Sequence, residues 1–349
     1  MFFQEDVSMA AKVFGIDFGT STIKIYRKNE GVIFDQKNLI ALCNGQAVAI
    51  GDEAFRMLGK APDNYTITYP VKNGVIADIN NMLILLNEAF AQIEKKVGKI
   101  TGSEIIVATP TDITEVEQRA YFDLASNCIA KPKKVRIVQK PIACAIGTGL
   151  EVMNASGVMV VDIGADTTEI SIMSIGGIVS SKLVPIGGNT FDSLIINNVR
   201  KKYNLIIGNA TAETLKKELA FACEPEHLTY KICGKDVLSG LPIDMEMDSE
   251  MITETISESL YQIVDNVKAI LENAPPEISA DIMDSGIFIA GGSANIRNID
   301  KLFASETMLD INICEDPSNN VVKGLGIILE SGSKYNSVAF ASGQISRIG

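Results

Sequence analysis

Residues 13–26 read VFGIDFGTSTIKIY, and residues 158–171 read VMVVDIGADTTEIS. Each segment consists of an apolar strand, an Asp-x-Gly-x-x-Thr turn and a second strand of alternating polarity. The defining residues are in register: Asp17 with Asp162, Gly19 with Gly164, and Thr22 with Thr167. Each copy then reaches a glycine turn and a third strand, which begins at Val32 or at Ile178. Two copies of one three-stranded meander predict two related lobes in a single chain.

The chemistry of this turn suits the phosphates of a nucleotide. Glycine lets the backbone approach a ligand closely, and successive N–H groups form a concave anion-binding nest to which threonine hydroxyls add donors. The aspartate at the strand end can hold a hydrated Mg²⁺, which keeps most of its waters. One such turn is equally typical of a tight β-hairpin. Two in register, with the further glycine-rich turn Ala290-Gly291-Gly292-Ser293, indicate a nucleotide site in which the third turn packs against sugar and base.

The rest of the chain alternates between helical and strand patterns, which favours an α/β fold. A capping box at Thr114-Glu115-Val116-Glu117 marks the start of one helix. The polar tail, residues 331–349, is expected to be loose. Helices are predicted over residues 79–96, 114–127, 141–149, 191–203, 249–271 and 319–330, and strands over 104–108 and 285–290.

The composition argues against several classes of protein. The net charge of −12 over 349 residues disfavours a nucleic-acid-binding surface. Six cysteines without a C-x-x-C pair disfavour a disulfide framework or structural zinc. The single histidine, His227, disfavours a Ser-His-Asp triad. No apolar run is long enough to span a bilayer, and residues 1–11 lack the basic start of a signal peptide. We therefore expect a cytoplasmic protein.

The three turns resemble the two phosphate loops and the adenosine loop of the actin, DnaK-type chaperone and sugar-kinase superfamily. Within this superfamily, the chain is most similar to MreB, the bacterial actin, from about Val13 to Glu330. The runs that carry this resemblance include Gly51-Asp52-Glu53-Ala54, Ile113-Thr114-Glu115-Val116-Glu117, Arg200-Lys201-Lys202-Tyr203-Asn204-Leu205, and Pro275-Pro276-Glu277 with Asp281-Ile282-Met283.

The resemblance implies an α/β, actin-like fold with two duplicated lobes around a nucleotide cleft that holds ATP or ADP with Mg²⁺. Lobe I is expected over residues 1–150 plus 317–349, as subdomain IA with IB at about 33–69. Lobe II is expected over residues 151–316, as subdomain IIA with IIB at about 185–248. The resemblance also implies polymerisation into cytoskeletal filaments that govern cell shape or motility, with ATP favouring the polymer-competent closure.

Individual roles follow from the same resemblance. Glu213 and Lys216 match the segment that touches adenosine, although an ordinary i,i+3 surface pair on a helix is an alternative. Asp17 and Asp162 match the metal-side carboxylates, which hold Mg²⁺ largely through water. The remaining nucleotide-binding residues are Gly19, Thr20, Ser21 and Thr22 in the first phosphate loop, Gly164, Ala165, Asp166 and Thr167 in the second, and Gly291, Gly292, Ser293 and Ala294 in the adenosine loop.

The slot for the catalytic glutamate departs from the family pattern. Where the family has Glu-Glu-Pro, with the second glutamate polarising the attacking water, this chain has Gln139-Lys140-Pro141. An ammonium cannot accept a proton but can neutralise phosphate charge, and losing a general base costs roughly 10²–10⁴-fold in rate. We therefore predict weak ATP hydrolysis. The alternative is that Gln139 or Asp162 positions the water well enough.

The second phosphate loop departs as well. The family's Asp-Ile-Gly-Gly-Gly-Thr-Thr is here Asp162-Ile163-Gly164-Ala165-Asp166-Thr167-Thr168. Asp166 would repel a triphosphate unless it faces Mg²⁺ or pairs with Lys140, and we predict that pairing. These losses resemble the divergent MreB paralogues of wall-less, helical Spiroplasma.

Partner surfaces follow mainly from the resemblance. The chain is expected to bind copies of itself and paralogous MreB proteins. The loop Lys95-Lys96-Val97-Gly98-Lys99-Ile100 is basic and could contact the inner face of the cell membrane at about 1 kcal/mol per lysine. Met1-Phe2-Phe3 could add apolar contact, although Glu5 and Asp6 oppose it. A solvated loop and a disordered start are the alternatives.

Two other functions are compatible with the motifs. A small-molecule kinase on the same fold would need a carboxylate base beside the γ-phosphate, where Lys140 occupies the nearest position. A binding scaffold without nucleotide affinity is disfavoured by the presence of Asp17, residues 20–22 and Gly291-Gly292.

Overall fold

A computed structural model describes residues 12–341, and the chain divides into two compact units. Unit 1 comprises the residues up to Glu151 together with those from Asn319 onward, and unit 2 comprises Val152–Ser318. The predicted membrane contact at Met1-Phe2-Phe3 lies outside the described residues.

The first part of unit 1 contains two groups of elements. Its strands are β1 (Val13–Phe18), β2 (Thr22–Arg27), β3 (Gly31–Lys37), β4 (Ile40–Cys43), β5 (Gln46–Ile50), β6 (Tyr65–Thr68), β7 (Val71–Lys72), β8 (Val75–Ile76), β9 (Glu104–Thr109) and β10 (Lys134–Gln139). Its helices are α1 (Gly51–Met57), α2 (Ile79–Val97), α3 (Glu115–Ser126) and α4 (Lys140–Gly147).

Unit 2 follows, and the chain then returns to unit 1. The strands of unit 2 are β11 (Val158–Ile163), β12 (Thr168–Ser174), β13 (Gly177–Val184), β14 (Leu205–Ile206), β15 (Thr229–Asp236), β16 (Pro242–Asp248), β17 (Ile287–Ala290) and β18 (Ile311–Ile313). Its helices are α5 (Gly188–Tyr203), α6 (Asn209–Leu219), α7 (Ser249–Glu272), α8 (Pro276–Ser285) and α9 (Ile299–Thr307). The elements that return to unit 1 are α10 (Asn320–Glu330) and β19 (Ala339–Phe340).

The main sheet of unit 1 has the strand order β19-β10-β9-β1-β2-β3. β1, β9 and β10 are parallel neighbours, whereas β1, β2 and β3 form an antiparallel meander. One face buries a core that includes Phe14, Ile16 and Phe90. Because parallel strands end at the same edge of a sheet, the turn after β1 and the start of α4 lie at one edge.

The main sheet of unit 2 repeats this plan, with the order β13-β12-β11-β17-β18. β11, β12 and β13 form the antiparallel meander, and β11 is parallel to β17. Alternate residues of β11 and β12, including Val161, Ile163 and Ile170, enter a core with α5 and α7. The turn after β11 and the glycine-rich segment after β17 therefore share the carboxyl edge of the sheet.

Each unit also carries a small inserted sheet. In unit 1, β4, β5 and β6 pair between β3 and α2. In unit 2, β14, β15 and β16 pair between β13 and α7. The sequence analysis did not assign β15 and β16 individually. β15 shows little apolar alternation, but β16 alternates Ile243, Met245 and Met247 with acidic residues, and this apolar face packs against the unit 2 core.

The predicted helices and strands agree with the structure to within a few residues, and the capping box at Thr114 and Glu117 is present. The expectation of a loose tail is wrong for its described part. Tyr335 and Val338 are buried, and Phe340 in β19 pairs with Ile137 in β10. Two buried side chains among polar neighbours were too weak a pattern to predict this docking.

Candidate functional site

Turn 1 comprises residues 19–22 and joins β1 to β2 at the carboxyl edge of the unit 1 sheet. A Cβ atom at Gly19 would lie 2.7 Å from the carbonyl oxygen of Thr22, so a larger residue would force the backbone to shift. Asp17, predicted to face the metal, lies two residues before this turn. Turn 1 therefore has the closely folded backbone that a phosphate-binding loop requires.

Turn 1 is attached to the end of β3 by residues that the sequence analysis did not identify. The side-chain amide of Asn38, which is fully buried, donates to the carbonyl oxygen of Gly19 at 2.8 Å. Its backbone N–H donates to the carbonyl oxygen of Ser21 at 2.9 Å. The ammonium of Lys37 lies 3.4 Å from the hydroxyl of Ser21. No local pattern marks Asn38, because its role depends on β3 returning alongside turn 1.

A buried lysine lies beside Asp17. Lys24 on β2 is 5% exposed and is in register with Asp17 on β1. Directly opposite residues of an antiparallel pair project from the same face, with Cβ atoms about 4.5–5.5 Å apart. On this face Gly15 packs closely against Leu325 of α10. The internal repeat held a signal for this residue, since a charged residue follows the aspartate at the same interval in both copies.

Gln139 and Lys140 lie where β10 passes into α4. Gln139 is the last residue of β10, Lys140 is the first of α4, and both are half-buried. β9 lies between β10 and β1, so the β10 and β1 backbones are about 10 Å apart at this edge. A positive charge at a helix N-terminus is unfavourable, whereas a glutamate there is favourable. The charge of Lys140 is therefore unfavourable for α4 itself.

Turn 2 comprises residues 164–167 and joins β11 to β12 at the carboxyl edge of the unit 2 sheet. The N–H of Gly164 donates to the carbonyl oxygen of Thr167 at 2.9 Å and closes the turn. A Cβ atom at Gly164 would lie 3.0 Å from that oxygen, compared with 2.7 Å for the equivalent contact at Gly19. Turn 2 thus repeats turn 1 with slightly more space.

The first residues of α5 bind turn 2 at three points. The N–H of Gly188 donates to the carbonyl oxygen of Gly164 at 3.0 Å, and the N–H of Asn189 donates to that of Ala165 at 2.7 Å. The side-chain amide of Asn189 donates to Asp166 Oδ1 at 2.7 Å. The acid in the second phosphate loop therefore has a partner in α5. Its predicted pairing with Lys140 stays a prediction.

The glycine loop, residues 291–294, follows β17 and contacts turn 2. Gly291 has a φ of +85°, and a Cβ atom there would collide with Asp162 Oδ1 and with the carbonyl oxygen of Ile163. The hydroxyl of Ser293 donates to the carbonyl oxygen of Gly164 at 3.2 Å. Unit 2 thus brings together Asp162, turn 2 and the glycine loop. These are the three segments of this unit that the sequence motifs predict to contact a nucleotide.

A buried glutamate lies beside Asp162. Glu169 on β12 is 3% exposed and is in register with Asp162 on β11, which is 5% exposed. Both carboxylates project from the face of the sheet opposite to Val161 and Ile170, which enter the core. Glu169 occupies the position in this copy that Lys24 occupies in the first.

The two predicted adenosine-contacting residues of α6 have different partners. Glu213 accepts from the ammonium of Lys217 at 2.7 Å. The ammonium of Lys216 donates to Asp192 Oδ2 at 2.9 Å and to the carbonyl oxygen of Gly188 at 2.8 Å. Burial raises the pKa of Asp192, and the charge of Lys216 partly offsets this effect. Lys216 is therefore held inside unit 2.

The basic loop after α2 is only partly suited to a membrane. Lys95, Lys96 and Lys99 are exposed, but Ile100 is 2% exposed and belongs to the core. Within residues 12–341 we find no helix long and apolar enough to cross a bilayer. The same part of the chain contains no group of three or more His, Cys, Asp or Glu side chains placed to hold a metal ion.

Comparison with known protein families places this geometry in context. The chain matches the family model described as MreB/Mbl protein over residues 11–337. It is 36% identical over 329 residues to the cell shape-determining protein Mbl of Bacillus subtilis, covering 93% of this chain and 98% of that protein. It is 36% identical over 322 residues to the cell shape-determining protein MreB of Escherichia coli K12, covering 90% and 92%.

Solved structures show the same similarity. The crystal structure of Spiroplasma citri MreB5 bound to ADP superposes with a TM-score of 0.86 at 33% identity, covering 90% of this chain and 95% of that one. The same protein bound to AMPPNP superposes equally well at 32% identity. The MamK double helical filament, at 20% identity and a TM-score of 0.76, shares the fold.

Proposed function

Because the chain belongs to the MreB/Mbl family and has its actin-like fold, we propose that it is an ATP-binding bacterial actin that polymerises into filaments. We propose that these filaments govern cell shape, the property for which the Mbl and MreB relatives are named, or motility. We propose further that its hydrolysis of ATP is weak, because a lysine occupies the catalytic position.

Nucleotide binding is supported chiefly by the repeated turns. Each unit places an Asp-x-Gly-x-x-Thr turn at the carboxyl edge of its main sheet, and in each turn a side chain in place of the glycine would crowd the backbone. The backbone N–H groups of such turns suit phosphate oxygens. MreB5 of Spiroplasma citri, which is 33% identical, was solved with ADP. We infer that turns 1 and 2 bind the phosphates of ATP and that the glycine loop binds its sugar and base.

The residues present also fit Mg²⁺. Asp17 and Asp162 end the first strand of each meander, and carboxylate oxygen is the ligand that Mg²⁺ prefers. They would hold the ion largely through water, and the ion would neutralise phosphate charge when bound. Glu169 lies in register with Asp162, and its carboxylate adds negative charge that attracts a cation.

Hydrolysis needs a group that accepts a proton from water or orients it. Lys140 is a donor and a cation, and its place at the start of α4 lies at the same sheet edge as turn 1. It can bind phosphate oxygens and favour bound ATP over products. We therefore expect the filament to exchange nucleotide, or to rely on paralogous MreB partners, for its turnover.

We also propose an electrostatic contact with anionic membrane through Lys95, Lys96 and Lys99. All three are exposed, while Ile100 is buried and unavailable for insertion. Binding to phosphatidylserine vesicles should therefore weaken steeply as salt is raised. Vesicle pelleting that is equally strong at high salt, or absent at low salt, would contradict this contact.

The decisive experiment combines ATP binding, pelleting and phosphate release for the wild type and Lys140→Glu, with ATP and Mg²⁺ and with EDTA in place of Mg²⁺. Lys134→Glu is the matched control, because Lys134 is an exposed residue at the other end of β10 and its substitution changes net charge equally. We expect the wild type to bind ATP and pellet with little phosphate release, and EDTA to weaken binding.

Lys140→Glu should release phosphate roughly 10²-fold faster if the glutamate restores a general base, whereas Lys134→Glu should behave like the wild type. Brisk phosphate release by the wild type would mean that Lys140 does not occupy the catalytic position. ATP binding without pelleting would favour the small-molecule kinase, and loss of both would favour a scaffold.

A further inference from the structure

An ion pair in unit 2 links α5 to α6 beneath the predicted nucleotide-binding segments. The ammonium of Lys216 lies 2.9 Å from both carboxylate oxygens of Asp192 and donates to Oδ2. Each side chain is only 12% exposed. The neighbouring ion pair of Lys217, by contrast, is on the surface, with that lysine side chain 65% exposed. Removing one partner of a buried pair leaves the other charge uncompensated, so the Asp192–Lys216 pair is expected to matter for unit 2.

The same ammonium is connected to turn 2 through the first residues of α5. It donates a second hydrogen bond, of 2.8 Å, to the carbonyl oxygen of Gly188. The N–H of Gly188 in turn donates to the carbonyl oxygen of Gly164, and the N–H of Asn189 donates to that of Ala165. Lys216 thus bonds the carbonyl of the Gly188–Asn189 peptide group, and the N–H of that same group bonds turn 2.

The glycine loop meets this network at the same point. Ser293 donates its hydroxyl to the carbonyl oxygen of Gly164, which also accepts from Gly188. A Cβ atom at Gly188 would lie 3.1 Å from both Lys216 Nζ and Ser293 Oγ. Turn 2, the glycine loop and Lys216 of α6, all predicted to contact the nucleotide, therefore all contact the backbone of Gly164 or Gly188.

We propose that Asp192 and Lys216 are positioning residues, which hold turn 2 and the glycine loop in their nucleotide-binding geometry, an inference that rests on the proposed function. Two of the three N–H bonds of the Lys216 ammonium are used within the protein. The orientation of the Gly164 and Ala165 peptides determines where the N–H groups of turn 2 point. Lys216 therefore acts on the nucleotide mainly through these peptides.

This role differs from the direct contact with adenosine that the resemblance implied for Lys216. A lysine that contacts adenosine needs no carboxylate partner, so loss of Asp192 would leave its contribution intact or increase it. A positioning pair requires both members. Loss of either should then have the same effect, and loss of both should have no greater effect than loss of one, which a double-mutant cycle measures.

The binding test uses the full chain with ATP and Mg²⁺, and compares Asp192→Asn, Lys216→Met, the double variant and Lys216→Arg. Lys217→Met is the matched control, because it removes the same charge from the next residue of α6, which is exposed and pairs with Glu213. We expect each single variant and the double variant to bind ATP roughly tenfold more weakly. Lys216→Arg should recover most of the affinity, and Lys217→Met should match the wild type.

Wild-type affinity in Asp192→Asn together with weak binding by Lys216→Met would overturn the proposal in favour of direct contact. Additive losses in the double variant would overturn it as well. Failure of the wild type to bind ATP would instead refute the proposed function, and a second measurement keeps the pair testable in that case.

That second measurement is hydrogen exchange of the Gly188 and Asn189 amides without nucleotide. Both amides donate to turn 2, so they should exchange several-fold faster in Lys216→Met and Asp192→Asn than in the wild type or Lys217→Met. Unchanged exchange at these two amides, in variants that remain folded by circular dichroism, would show that the pair does not hold turn 2.

Discussion

Turn 1 and turn 2 are built on the same backbone plan but have opposite charges beside their aspartates. In unit 1 the residue in register with Asp17 is Lys24, whereas in unit 2 the residue in register with Asp162 is Glu169. Lys24 is 5% exposed and Glu169 is 3% exposed. The two copies of the repeat therefore share the turn but differ in the charge of the buried residue beside its aspartate.

The difference assigns separate electrostatic tasks to the two turns. At turn 1 a buried lysine on the neighbouring strand is in register with the aspartate. At turn 2 two carboxylates lie side by side, and like charges in register are destabilising by a few tenths to about 1 kcal/mol. Turn 2 therefore has a carboxylate beside its aspartate where turn 1 has an ammonium.

The largest expected effect comes from neutralising the two buried neighbours in parallel. Lys24→Met should lower the free energy of unfolding by about 3 kcal/mol, because it leaves the charge of Asp17 without its buried cation. Glu169→Gln should be neutral or stabilise slightly, because it removes one of two facing carboxylates. Urea unfolding without nucleotide measures both changes.

Lys60→Met, which alters an exposed lysine of unit 1, is the control for Lys24→Met and should be close to neutral. Similar destabilisation by Lys24→Met and Glu169→Gln would show that the sign of the buried charge does not distinguish the two turns.

A smaller effect should separate the two turn glycines. Gly19→Ala brings a Cβ atom to 2.7 Å from the Thr22 carbonyl oxygen, while Gly164→Ala brings one to 3.0 Å from that of Thr167. Overpacking against backbone costs about 2 kcal/mol, so we expect that loss for Gly19→Ala and roughly half of it for Gly164→Ala. Thermal unfolding and ATP affinity should give the same order, and a larger loss for Gly164→Ala would contradict the geometry.

The smallest effect concerns Tyr26, which shares the Lys24 face of β2. Its hydroxyl donates to Glu330 at 2.9 Å, and burial together with that carboxylate raises the pKa of Tyr26 to about 12. Because this pKa lies above the ordinary 10.0, the phenol stabilises the fold fully below pH 10, and the contribution is lost as the pH rises through about 12. Tyr26→Phe should cost about 1 kcal/mol at pH 8 and progressively less above pH 10.

Absorbance titration of tyrosinate tests the same residue directly. The late-ionising part of the wild-type curve should be smaller by one phenol in Tyr26→Phe. A late component of unchanged size in Tyr26→Phe would assign it to another of the eight tyrosines, such as the buried Tyr121.

Local patterns in the sequence were sufficient for much of the fold. The Asp-x-Gly-x-x-Thr repeat predicted both meanders, and the capping box predicted the start of α3 at Glu115. The resemblance to MreB was confirmed by the family match and by relatives at about a third identity. The β15–β16 hairpin and the docking of β19 were missed. β15 shows little apolar alternation and β19 has only two residues, whereas the alternation of Ile243, Met245 and Met247 in β16 was a signal that the sequence analysis did not use.

The candidate site divides in the same way. The placement of Asp17, Asp162 and the glycines at two tight turns was predictable, because an Asp-x-Gly-x-x-Thr turn is encoded by nearby residues in the sequence. Their role in binding phosphate stays a prediction. Asn38 was not predictable, because its role depends on β3 returning alongside turn 1. The repeat marked Lys24 and Glu169 as charged residues at one interval after each aspartate, but only the strand register shows that they lie opposite Asp17 and Asp162. Lys216 was identified, but its carboxylate partner on α5 was not.

The sequence by itself determined the repeated aspartate turns, the α/β class, the family and the lysine, Lys140, at the position where the family resemblance implies a glutamate. Each of these features depends on residue types at fixed, short spacings, which can be recognised in the sequence without knowledge of the fold. Only the tertiary structure decided that Asp192 and Lys216 meet under turn 2 and that a buried cation and a buried carboxylate flank the two aspartates. Asp192 and Lys216 lie on different helices, and only packing brings them within hydrogen-bonding distance. The charges beside the two aspartates are set by strand register, which local spacing does not specify.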